Sequence, residues 1–288
     1  MKGTCSTAGS VGEKSDVSQP DRRCHTYPPT HIMRAQLQHQ ATTDADVVLL
    51  PIRCAATARL KGFEVLARKP APCGSACARR DEPKYAPAPA HQLARVLSGE
   101  VASLIAGHGL KLWIPLSLDA LRRDDSAIVL FDGLAATELA RTDITFELQA
   151  SAIVASVSAM NERALEAIAW QDSRIAVSGL SDFTSIEAAL LADARISEVR
   201  LPAALCSKTP PPGMQRRRDE GWLAETVASL HGRGLLASAL DVSDSKLCHE
   251  IIVAGFDLIQ GDLVGRPHSV EATIDQMVAA LPFGRTLL

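Results

Sequence analysis

Charged and amide side chains set inside apolar runs are where this sequence could do chemistry. Glu64 and Arg68 stand four residues apart in Gly62-Phe63-Glu64-Val65-Leu66-Ala67-Arg68, Glu147 lies in Phe146-Glu147-Leu148, Arg200 in Val199-Arg200-Leu201, and Gln260 follows Phe256-Asp257-Leu258-Ile259. Each run has the make-up of a strand, in which successive side chains alternate between faces. Read alone, Glu64 is a site residue or a hydrogen-bonded strand carboxylate, and Arg68 is a salt-bridge partner at a strand end. Glu147 and Gln260 either reach a site or satisfy buried polar neighbours. Arg200 stays charged at any relevant pH; it can grip a phosphate but cannot trade a proton. Other groups carry less. Cys24, His25, His31 and His39 fit no standard metal-ligand spacing, Cys73 and Cys77 sit in a Pro/Gly-flanked stretch, and His268 reads as a loop residue. Arg216-Arg217-Arg218 reads as a solvated charge run, since three arginines at a helix start oppose its dipole.

These residues need elements to hold them. Residues 1–44 are polar, carry Pro20, Pro28 and Pro29, and lack sustained apolar periodicity, which predicts a flexible N-terminal tail before a domain over 45–288. From Val47 onward short apolar runs alternate with amphipathic stretches, placing strands near 47–52, 61–67, 110–116, 143–148, 173–178, 196–201, 234–239 and 256–260. Leu93, Val96, Leu97, Val101, Leu104 and Ile105 form one helical stripe, Leu223, Val227 and Leu230 another, and Ser269 is placed to cap a last helix from Val270. Strands alternating with helices in this number predict an α/β fold, a TIM-like (β/α)8 barrel. Only Arg53 to Leu60 join the first two strands, and a parallel crossover needs about a dozen residues, so the first strand is predicted antiparallel.

With these features in place, the sequence resembles the EAL family of cyclic di-GMP phosphodiesterases and their inactive relatives. Glu64-Val65-Leu66-Ala67-Arg68 is similar to the signature Glu-Ala-Leu-x-Arg, and Gly255-Phe256-Asp257, Gln260-Gly261 and Arg266-Pro267 resemble Gly-Cys-Asp, Gln-Gly and Arg-Pro near the eighth strand. The resemblance implies ligand-binding roles for Glu64, Leu66, Arg68, Arg200 and Gln260. In active members carboxylates and an Asn surround two divalent ions, which neutralise the phosphate and activate water.

Several implied ligands are missing. Pro115 stands where an Asn is expected, Ser178-Gly179 where two Asp would follow the fifth strand, and Ser238 where a Glu belongs near the seventh. Arg200 takes the position of the catalytic Lys, and Ala150 that of a further carboxylate. Glu64 and Glu147 remain as a vestigial metal pair, Asp241 as a shortened carboxylate, and a shifted register would spare Asp182. No catalytic residue and no cofactor are therefore expected, with Mg²⁺ the ion if residual activity survives.

Composition narrows the partners. A net charge of −3 and 4% aromatic residues give no sign of a nucleic-acid surface, and no apolar run reaches the ~18 residues of a membrane span. Seven scattered cysteines form no secreted disulfide framework, which points to the cytoplasm. The expectation is a non-catalytic signalling protein acting through an unidentified protein partner, with a non-hydrolysing cyclic di-GMP receptor as the alternative, an active phosphodiesterase as the third, and a homodimer as one admissible assembly.

Overall fold

The computed structural model describes residues 47–68, 85–116, 124–151, 173–180, 196–207 and 221–280. The chain divides into two units, Met1–Thr42 and Thr43–Leu288, and every described residue belongs to the second. The expected tail, Cys73, Cys77, Asp182 and Arg216 to Arg218 lie outside the described residues.

Eight strands close into a ring. In order around it they are β1 (Val47–Cys54), β2 (Leu60–Arg68), β4 (Lys111–Pro115), β5 (Ile144–Gln149), β6 (Arg174–Ser178), β7 (Ile196–Pro202), β8 (Leu236–Leu240) and β9 (Leu258–Ile259), with β9 returning to β1. β1 is antiparallel to both neighbours, and β2 and β4 to β9 run parallel to one another. The reversed strand follows from its short connection. Arg53 secures that hairpin, donating from Nη1 to the Ala58 carbonyl at 2.9 Å and from Nε to the Val264 carbonyl at 2.8 Å. Two further short strands pair outside the ring: β3 (Tyr85–Pro87) along β2, and β10 (His268–Ser269) along β1. His268, expected in a loop, is thus paired with Leu49.

Among the described residues the helices are α1 (Ala90–Leu97), α2 (Glu100–Gly107), α3 (Asp124–Ala136), the single turn α4 (Ala203–Cys206), α5 (Trp222–Gly232), α6 (Ser245–Val253) and α7 (Val270–Ala280). The one stripe expected over Leu93 to Ile105 is two helices. Ser98 turns its hydroxyl back onto the Ala94 carbonyl at 2.8 Å, and Gly99 takes an extended conformation with ψ of 173°, so the ladder stops and restarts. The Ser269 hydroxyl does accept from the Ala272 N–H, 3.1 Å, at the start of α7.

Alternation along the strands sorts side chains into two environments. Phe63, Val65, Leu112, Ile114, Phe146, Leu148, Ile175, Val177, Val199 and Leu201 face outward into the main apolar core beneath the helices. The inner apolar cluster is small: Ile52, Trp113, Ala176 and Leu258. The other inward positions are largely polar, with Glu64, Thr145, Glu147, Ser178, Glu198, Arg200, Ser238 and Gln260 all buried. Gly62 admits β4 closely, because a Cβ there would overlap the Lys111 backbone.

Candidate functional site

Four strands deliver one polar cluster to the barrel interior. Glu64 sits mid-β2, Glu147 in β5, Glu198 and Arg200 two residues apart on β7, and Gln260 just beyond β9. The five side chains point inward, since Phe63, Val65, Phe146, Leu148, Val199, Leu201 and Ile259 beside them are packed in the outer core.

Arg200 is the centre. It is 1% exposed, among the largest fully buried side chains of the described residues. Its Nη2 donates to the Gln260 Oε1 at 2.6 Å and lies 3.4 Å from the Glu64 Oε2. Its Nη1 is paired with the Glu147 Oε2, and its Nε lies 3.6 Å from the Glu198 Oε1. The Gln260 amide closes the circuit, donating from Nε2 to the Glu64 Oε2 at 2.5 Å. Burial lowers the guanidinium pKa from its usual range while Glu64 raises it.

Glu198 anchors a second layer. Its Oε2 accepts from the Trp113 indole N–H at 2.8 Å, and its Oε1 from the Ser238 hydroxyl at 2.5 Å. Burial pushes its pKa up to about 7, against those hydrogen bonds and with help from Glu64 and Asp257. Sequence reasoning missed Glu198 as a site residue. The signal was its spacing of two from Arg200, which puts both on one strand face.

Of the expected residues, Glu64, Glu147, Arg200 and Gln260 converge. Leu66 and Arg68 lie further along the same face of β2, Leu66 half-buried and Arg68 exposed at the strand end. Arg68 lines a separate groove of about 400 Å³ with Val47, Gln92, Arg95, Ser269 and Glu271. Asp241 is exposed just after β8, in the left-handed region at φ 58°. Pro115 pairs in register with Glu147 and is buried, so the neighbour of that carboxylate supplies no side-chain oxygen. Asp257 braces the opposite end of the barrel: it accepts from the Ala237 N–H at 2.8 Å and contacts His231 Nε2 at 2.9 Å.

No protein-family model matches the sequence, and no curated protein matches it. Solved structures do match. The EAL enzyme Bd1971, in a form bound to cAMP and cyclic di-GMP, aligns with a TM-score of 0.62 at 13% identity over 81% of this chain. This chain spans 64% of the length of that one. The EAL domain of Mycobacterium smegmatis DcpA aligns with a TM-score of 0.58 at 16% identity, over 81% of this chain and 97% of its own. The FimX EAL domain from Pseudomonas aeruginosa, bound to cyclic di-GMP, gives 0.54 at 17% identity, over 83% and 95%. The chain has the EAL-domain fold.

On the EAL scaffold a divalent ion would be sought between Glu64 and Glu147. The described residues do not fit one there. The Arg200 guanidinium contacts both carboxylates, and a second cation in that space would meet its charge. Among the described residues no three His, Cys, Asp or Glu side chains are grouped to hold a metal ion. Arg200, expected from the sequence to grip a phosphate, is turned toward carboxylates and an amide.

Proposed function

We propose that the protein is a non-catalytic EAL-type signalling protein that acts through protein interaction in a cyclic di-GMP-related pathway. One observation carries the non-catalytic part: the buried Arg200 guanidinium lies between Glu64 and Glu147, where metal-assisted hydrolysis would need an ion. A metal lowers the pKa of bound water and draws charge from the phosphate; a guanidinium already engaged by carboxylates does neither. The pathway rests on likeness to EAL structures bound to cyclic di-GMP, and protein interaction on what an EAL scaffold without turnover can still offer. The cytoplasmic location expected from the cysteines belongs with this reading; among the described residues no helix is long and apolar enough to cross a membrane.

A specific observation favours the receptor alternative as the second reading. Arg68 borders a groove whose volume, about 400 Å³, lies in the ~300–1,000 Å³ range of small-molecule sites. Arg68, exposed at the end of β2, is the cation of the expected set that lines this groove.

Incubating the full chain with cyclic di-GMP and Mg²⁺ or Mn²⁺, then separating nucleotides by chromatography, should give no linear product. Turnover abolished by Glu64→Ala would overturn the non-catalytic reading. Calorimetry with cyclic di-GMP separates the two readings: no saturable heat accords with protein interaction, whereas saturable binding weakened by Arg68→Ala selects the receptor.

A further inference from the structure

Among the described residues three carboxylates face the Arg200 guanidinium inside the barrel, and all four side chains are 10% exposed or less. Glu64 Oε2, Glu147 Oε2, Glu198 Oε1 and Gln260 Oε1 reach it from β2, β5, β7 and the end of β9. Every one of these donors is oxygen. Carboxylates plus an amide carbonyl are the set a hard divalent cation takes, with waters completing six to eight ligands for Ca²⁺. A charge this buried is held only if paired, and here the chain supplies the counter-charge from its own β7.

We propose that Arg200 is a resident cation occupying a latent divalent-cation site, so that the EAL-type interior is compensated by a side chain instead of by an ion. The guanidinium excludes the ion in two ways: it fills the space between Glu64 and Glu147, and it repels a second positive charge. Removing its charge should therefore convert the interior into a divalent-cation site. The carboxylates would be left facing one another across an emptied volume, with Gln260 Oε1 released from its 2.6 Å hydrogen bond. Ca²⁺ suits the conversion better than Mg²⁺, since its longer bonds and looser geometry tolerate donors positioned around a larger group. The inference stands on this geometry alone and does not depend on the signalling role.

The test uses the full chain without nucleotide, so that its outcome and that of the functional reading are independent. Wild type, Arg200→Ala and Arg200→Gln are titrated with CaCl2 by calorimetry and melted with and without it. The expected result is saturable binding near one ion per chain in the variants. Their melting midpoints should rise by about 5 °C at a hundredfold excess over Kd, against less than about 1 °C for wild type. Adding Glu147→Gln to either variant should abolish the response. If Arg200→Ala folds only when refolded with Ca²⁺, that supports the proposal directly. Arg200→Gln folded yet indifferent to Ca²⁺ would overturn it, as would wild type responding as strongly as the variants.

Discussion

Glu198 shows how a single buried carboxyl ties stability to pH. Burial raises its pKa from 4.5 to about 7, outweighing the hydrogen bonds from Ser238 and Trp113 that act the other way. The folded state thus holds the proton more tightly than the unfolded one. The stability this contributes is fully present below about pH 4.5 and is lost as the pH rises to about 7, by on the order of 3 kcal/mol. Glu198→Gln removes the titration and keeps an oxygen for Trp113. Urea denaturation at intervals from pH 5 to 8 should show the variant gaining on wild type as the pH rises; parallel profiles would refute the assignment. Glu64 belongs to the other layer of the cluster, tied to Gln260 and Arg200, while Arg68, four residues on, is exposed at the end of β2.

Close approaches between elements leave little room for side-chain growth. A Cβ on Gly133 of α3 would lie 2.7 Å from the Ala94 Cα of α1, so these helices cross with no space for a larger residue. Gly133→Val should cost about 1–3 kcal/mol by forcing them apart, read as a lower urea midpoint with an unchanged slope. An unchanged midpoint would mean that the helices separate freely. The hairpin of β1 and β2 was legible in the sequence because its connection is too short for any other arrangement. The break between α1 and α2 was not: Ser98-Gly99 interrupts the ladder without interrupting the apolar stripe, since Leu93, Val96, Val101 and Ile105 are buried on both sides of it. β3 and β10, of three and two residues, are too short for any period to register, and they exist because β2 and β1 offer them backbone partners.

For the molecule as a whole, the ring closes entirely within the unit that begins at Thr43. The polar composition of residues 1–44 predicts that they contribute no core. A chain starting at residue 45 should therefore melt within about 2 °C of the full protein, a shift that corresponds to about 1 kcal/mol at this size. A drop of 5 °C or more in a thermal scan would show that the N-terminal segment supports the barrel.

Local pattern alone determined the eight strands of the ring, the reversed first strand, the cap at Ser269 and the EAL resemblance, because each is written in spacing between neighbours or in connection length. It also picked out Glu64, Glu147, Arg200 and Gln260 as residues of interest. Their mutual arrangement is another matter. Glu64 and Gln260 are 196 residues apart and Glu64 and Arg200 136 apart, and only closure of the ring decides that they touch. Whether Arg200 faced a ligand or the protein's own carboxylates was likewise beyond the sequence: a guanidinium pairs with whichever anions surround it, and the fold supplies Glu64, Glu147 and Glu198 at contact distance while burying all four from water.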